Sequence, residues 1–281
     1  VGKIEVKATT DPIERVVGLG VLAFIVSISL FAIRDNDVWW HMAVGRQLVE
    51  TGRWITHDPF LFSMPGVAWV SHSWLVDILF YAVHALFSPV GLVALRALVV
   101  ATLFVLLFRQ LKSLGISLTL ASPVALLVVL NAHSRLDLRP HLFEYVFLVL
   151  LLGWLLARRE RLGNRFYLFP AALQIIWVNA HASFYLGPIV VFLFYAGEWL
   201  NRRLGGAGVT SHPVAWKRVA ALLGLMAAVS LVSPSPLEMV LQPLGGEQRD
   251  ILTRYTLEWL SPFDPGLAAG AFHPYYECLL G

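Results

Sequence analysis

SHSWLVDILFYAVHALF, residues 71–87, sets the topology of the whole chain. It is apolar enough to read as a membrane span, yet Ser73, Asp77, Tyr81 and His84 recur along it at steps of three and four. Trp74, Ile78, Ala82 and Ala85 form an apolar stripe beside them. Two stripes at helical spacing describe an amphipathic helix lying in a membrane interface. Charge agrees. If 71–87 crosses, about 7 Lys/Arg fall inside and about 13 outside, against the positive-inside rule. If it does not cross, Lys3, Lys7, Arg15, Arg109, Lys112, Arg158, Arg159, Arg161, Arg165, Arg202, Arg203, Lys217 and Arg218 all fall inside. Only Arg34, Arg46, Arg53, Arg135, Arg139, Arg249 and Arg254 then fall outside, and the rule is obeyed.

Working outward, the spanning candidates are 15–33, 90–110, 114–132, 141–158, 165–179, 182–201 and 215–233. Each is near the length a helix needs to cross hydrocarbon. The 281 residues are 58% hydrophobic and 14% charged, well below the roughly 25% charge of soluble domains. The fold class is therefore all-α, a polytopic transmembrane helical bundle; long continuous apolar runs argue against a β-barrel. A net charge of +3 without a basic, aromatic-interleaved cluster excludes nucleic acid as a partner. The single cysteine, Cys278, excludes an intrachain disulfide and a Cys-rich metal site. Three parts are expected: a cytoplasmic tail 1–14, a membrane module 15–233 with interfacial helices in its outer loop 34–89, and an outer-face region 234–281. The first apolar segment reads as an uncleaved anchor. The last region includes a short helix near 237–241 and is expected to continue into a longer parent chain.

In this topology the unusual residues share the outer face. RDNDVWWHMAVGRQLVETGRWITHDPF, residues 34–60, holds three aspartates, two histidines and three tryptophans just past the first span. Asp37 is placed to cap a helix over 38–50, and an open helix start also offers N–H groups to an anion. His41, four residues on, can share a face with Asp37, so the two can exchange a proton or hold a divalent metal. Trp39 and Trp40 suit an aromatic belt, with sugar stacking as the sharper reading. Asp58, before Pro59, is either a turn former or a second carboxylate of the site. Arg96 lies inside an apolar span and needs a partner. Either it pairs with Glu144, or it holds a lipid-linked phosphate. The loop 133–141 places Arg135, Arg139 and His141 where they bind a phosphate or lipid headgroups. Asn179 and His181 cap helix ends, or line the site. The nine histidines do not form paired mid-bilayer haem ligands, and no phosphate-binding loop or hydrolase motif is present.

DNDVWWHMAVGRQLVETG (35–52), THDPFLF (56–62), SHSWL (71–75), RLDLRPH (135–141), WVNAHASFYLG (177–187), LVSPSPLEMVL (231–241) and LEWLSPF (257–263) occur in an order that resembles bacterial multi-span proteins related to the GT-C glycosyltransferases. That superfamily includes the dolichyl-phosphate-mannose protein mannosyltransferases. The resemblance covers most of 35–263. It implies seven spans in a bacterial inner membrane, the N-terminus cytoplasmic, and sugar transfer from a polyprenyl-phosphate donor on the periplasmic face. It also implies a carboxylate base in the first outer loop. Asp37 matches that position best and Asp35 next, with Asp58 as a second acidic contact. Arg96 and the loop carrying Arg135, Arg139 and His141 would face the phosphate. The chain departs from the group's pattern at Ser73, where an acid often precedes Trp-Leu, and at 233–236, where Asn-Pro-x-Gly often stands. It is also shorter than a typical member, and the missing parts usually shape the acceptor site. An alternative follows: a non-catalytic GT-C-derived subunit of a larger membrane complex. A lipid or ion transporter fits less well, because the charges cluster on one face. Expected partners are membrane lipids, a lipid-linked sugar and, in the alternative, other membrane subunits.

Overall fold

The computed structural model describes residues 12–60, 66, 68–158, 166–205 and 214–241, in which the regular elements are helices apart from an isolated bridge between His57 and Ala68. Residues 1–11 of the expected tail 1–14, Arg159, Arg161, Arg165, Cys278 and the region from 242 onward lie outside the described residues, and 12–14 begin the first helix. The helices are α1 (Pro12–Ile28), α2 (Asp37–Thr51), α3 (Trp74–Ser113), α4 (Leu118–Asn131), α5 (His141–Arg158), α6 (Leu168–Ala180), α7 (Leu186–Arg203), α8 (Trp216–Val229) and α9 (Pro236–Leu241). Short 3₁₀ turns, His133–Leu136 and Ala182–Tyr185, lead into α5 and α7.

Among the described residues, three helices are long and apolar enough to cross a membrane: Trp74–Ser113, His141–Arg158 and Ala182–Arg203. α4 and α6 are apolar but shorter, at 14 and 13 residues. The first of the three needs a break. Forty residues at 1.5 Å each would be about 60 Å long, twice the hydrocarbon core. The break is at Ser88, whose φ of 59° and ψ of −168° leave the helical region immediately before Pro89. Proline disfavours a helical residue before it, so arms 74–87 and 89–113 take separate directions.

The polar stripe expected along the first arm does not face solvent at its start: Ser73 and Asp77 are buried. They turn onto α2, because α2 offers them His41. Gly45 makes the approach possible: a Cβ there would overlap the backbone carbonyl of Asp77. α2 ends at Gly52, whose φ of 64° suits glycine and whose N–H bonds Leu48 O at 3.0 Å.

Short connections make sequential helices antiparallel neighbours. One end of the bundle is fixed by Glu14, which accepts from Leu118 N at 2.7 Å and lies 3.4 Å from Lys112 Nζ. The other end joins α1's exit, the entry of α5 and the 179–185 turn. The main core runs between them, including Ile25, Leu92, Val100, Leu142, Leu151 and Trp177, and a smaller cluster of Val44, Leu48 and Ile55 lies under α2. α4 is turned the opposite way from a soluble helix. Ala121, Ser122, Ala125 and Val129 are buried, while Leu120, Val124, Leu127 and Val128 are exposed, so the inward face is mostly small. Small residues inward and large apolar residues outward is how a helix packs when its outer solvent is lipid.

Candidate functional site

Ionisable side chains converge at the end of the bundle where α1 leaves and α5 enters. Arg139, just before α5, lies between two carboxylates of the α1–α2 link. Its Nε pairs with Asp35 Oδ2, and its Nη2 lies 3.4 Å from Asp37 Oδ2. Asp35 is nearly sealed, with 8% of its side chain exposed, whereas Asp37 shows 55%. The expected helix cap is corrected here. Asp37 is the first residue of α2 and does not cap it; Asp35 Oδ1 accepts the Asp37 N–H at 2.9 Å. An aspartate fixed by an arginine can reach the amide two residues on, and it leaves Asp37's carboxylate pointing outward.

Arg96 corrects a second expectation. It pairs with Asp137 rather than Glu144, its Nη1 lying 3.7 Å from Asp137 Oδ1. Its Nε donates to Ser29 O at 2.8 Å, its Nη2 donates to Phe31 O, and the guanidinium stacks 3.6 Å from the centre of the Phe31 ring. Ser29 and Phe31 lie beyond the last turn of α1, where the chain leaves the helix and its carbonyls need donors. The arginine side chain has no exposed surface. Burial and the neighbouring Asp35 push the Asp137 carboxyl up, against the pull of Arg96 and Arg139.

Glu144, one turn into α5, instead meets the 181–185 turn. It accepts from Ser183 Oγ, and its Oε2 is 2.8 Å from His181 Nδ1. His181 caps the 3₁₀ turn by accepting from Ser183 N, so its expected capping role stands, and the same Nδ1 lies beside Glu144. Its ring lies 6.5 Å from that of His141, whose Nε2 donates to Arg135 O at 3.1 Å. Asn179 joins three elements. Its Oδ1 accepts from Trp74 Nε1 at 2.7 Å, and its Nδ2 donates to Val232 O at 2.8 Å and Ile175 O at 2.7 Å.

His41 does not join Asp37 in a proton or metal pair. It is buried, with Nδ1 2.7 Å from Asp77 Oδ1, and Ser73 Oγ donates to the same oxygen at 3.0 Å. A buried carboxylate binds the donor nearest to hand, and α3 places one against the inner side of α2. His72 sits between the clusters. Burial, with His181 and His41 nearby, pushes it down to about 4. Asp58 takes the turn-forming role, accepting Phe60 N at 2.7 Å. Among the described residues no group of three or more His, Cys, Asp or Glu could hold a metal ion.

The structure thus brings Asp35, Asp37, Arg139, Asp137 and Arg96 into one chain of charges, and His41, His72, His141 and His181 beside it. Asp77, Ser73 and Ser183 were not anticipated as site residues, and His181, which was, was not paired with Glu144. The available signal was a polar residue inside an apolar helix, which by default demands a partner. Compared with protein-family models, curated proteins and solved structures, the chain finds no match.

Proposed function

We propose that this chain is a seven-span membrane module of glycosyltransferase type, using a polyprenyl-phosphate-linked sugar at the outer face. Asp37 is its base. The observation that carries the reading is the contrast between neighbouring carboxylates. Asp35 is consumed by Arg139 and the Asp37 amide, while Asp37 stays half-exposed at a helix start beside the same arginine. In the reaction, an acceptor hydroxyl oxygen bonds the anomeric carbon as the carbon–oxygen bond to phosphate breaks. The hydroxyl proton passes to Asp37, and the leaving polyprenyl phosphate keeps the bonding pair. Arg139, with Arg135 and His141 from the same loop, is placed to stabilise that charge. Basic residues of α3, α5, α7 and α8 collect at the opposite ends of their helices, supporting a cytoplasmic placement of that end.

Asp37→Asn should abolish transfer from a polyprenyl-phosphate sugar by the purified protein, with unchanged melting temperature. Undiminished transfer would falsify the assignment. One observation favours the second reading, a non-catalytic subunit of a membrane complex. Arg96, the cation deepest in the site, is enclosed by backbone carbonyls and offers no surface to a phosphate. Stable co-purification in a large assembly, with no sugar turnover, would establish that alternative.

A further inference from the structure

We propose that the C-terminal end of α2 carries a carbohydrate-binding site centred on Trp54, separate from the carboxylates at the start of that helix. An open cleft of about 540 Å³ lies there. Gln47 and Thr51 of the last turns of α2 line one side, and Arg53, Trp54, Thr56 and His57 of the following segment line the other. The sequence builds this frame locally. Gly52, in its left-handed conformation, ends the helix and turns the chain. Thr51 Oγ1 fixes the turn, accepting from Arg53 N at 3.2 Å and donating to Gln47 O at 2.7 Å. Beyond it, Trp69 N donates to Thr56 O at 2.9 Å, and His57 pairs with Ala68 in an antiparallel bridge. Ile55 anchors the segment from below, buried with Val44 and Leu48.

Trp54 selects the occupant. It stands edge-on to Trp74, with ring centres 5.2 Å apart, and Trp74 is itself held by its bond to Asn179. Even so, 49% of Trp54 stays exposed. An open indole held in place is a platform for a ligand face, and its π-cloud attracts C–H groups carrying partial positive charge. Around it stand an amide, two hydroxyls and a guanidinium, from Gln47, Thr51, Thr56 and Arg53. A purely apolar ligand would leave these groups without partners. A small anion would gain nothing from the indole. A pyranose ring satisfies both, its C–H face covering Trp54 while hydroxyls at the ring edge bond the Gln47 amide and Thr56. The 15 residues of α2 place Thr51 about 21 Å from Asp37 along the helix, so one sugar cannot occupy both places. The cleft is thus suited to holding a distant part of a sugar-bearing ligand, not to reacting with it.

The test is saturation-transfer NMR of the full chain in a detergent without a sugar headgroup. The probes are the methyl pyranosides of glucose, galactose and mannose, with sorbitol as control. At least one glycoside should bind, with the strongest transfer to C–H protons of one ring face. Sorbitol, which has the hydroxyls without a ring face, should not bind. Trp54→Ala should weaken glycoside binding about tenfold, and Trp54→Tyr, which keeps an aromatic face, only about twofold. Gln47→Ala should weaken it about fivefold, and it carries the test if Trp54→Ala does not fold. Failure of every glycoside to bind overturns the proposal, and is the result expected if Trp54 only anchors the loop in a membrane interface. So does equal binding of sorbitol, or unchanged affinity in Trp54→Ala or Gln47→Ala. Every readout is equilibrium binding, so failure here leaves the assignment of Asp37 untouched, and loss of that assignment leaves this site standing.

Discussion

The two ends of the helix bundle use charge in opposite ways. Around Arg96, Asp35, Asp77 and Glu144, the ionisable groups are largely withdrawn from solvent and paired across helices. Around Arg15, Arg109 and Lys112, they are mostly cationic and stand at helix ends, with Glu14 as the paired carboxylate. Buried pairs cost desolvation and persist only with close partners, so they fix geometry. Exposed cations cost little and interact with whatever surface lies beside them. The first end holds its side chains in position, and the second leaves Arg15 and Arg109 at the surface of the bundle.

The comparison breaks most visibly at Arg96. Arg96→Ala removes the donors of Ser29 O and Phe31 O and strands Asp137, so it should cost about 4 kcal/mol in unfolding measurements. A cost below about 1 kcal/mol would show that this end does not depend on buried pairing. Next is the α2–α3 crossing. Gly45→Ala forces a methyl into the Asp77 carbonyl and should cost about 3 kcal/mol. Gly20→Ala on α1, with nothing within 4 Å, should be neutral or slightly stabilising in the same assay.

His72 sharpens the comparison through pH. Its folded pKa, about 4, lies below the ordinary value near 6.5. As pH falls below about 6.5 the unfolded chain takes up a proton that the folded chain refuses, so stability is full above that pH and is lost towards about 4. The contribution has a slope of at most about 1.4 kcal/mol per pH unit. His72→Gln should flatten the curve in that window relative to the parent; parallel curves would refute it. The smallest effect belongs to the exposed end. Lys112→Ala cuts a pair whose lysine side chain is 30% exposed, and should cost about 0.5 kcal/mol.

Much of this was legible beforehand. The expected helix over 141–158 coincides with α5, and the short helix near 237–241 appears as Pro236–Leu241. Continuous apolar runs and flanking polar residues carry that information locally. Arg96's need for a partner was also legible, but its partner was not. Depth along α3 and α5 placed Glu144 near it, yet depth says nothing of helix rotation or of the path of a loop. The link after α1 and the 3₁₀ turn before α5 bring carbonyls and Asp137 to Arg96 instead. His41 was read with Asp37, four residues away, because helical spacing reveals neighbours only on the same helix.

The amino-acid sequence by itself determined the helical class, the membrane character of the apolar helices and the gathering of polar residues at their ends. These follow from hydropathy and spacing, which are properties of each segment alone. Only the tertiary structure decided which carboxylate stays open. Asp35 and Asp37 differ by two positions and not at all in chemistry. Arg139, more than a hundred residues away in the chain, pairs closely with Asp35 and reaches Asp37 only at 3.4 Å, leaving Asp37 half-exposed, because a buried charge takes its partner from whichever segment folding brings within reach.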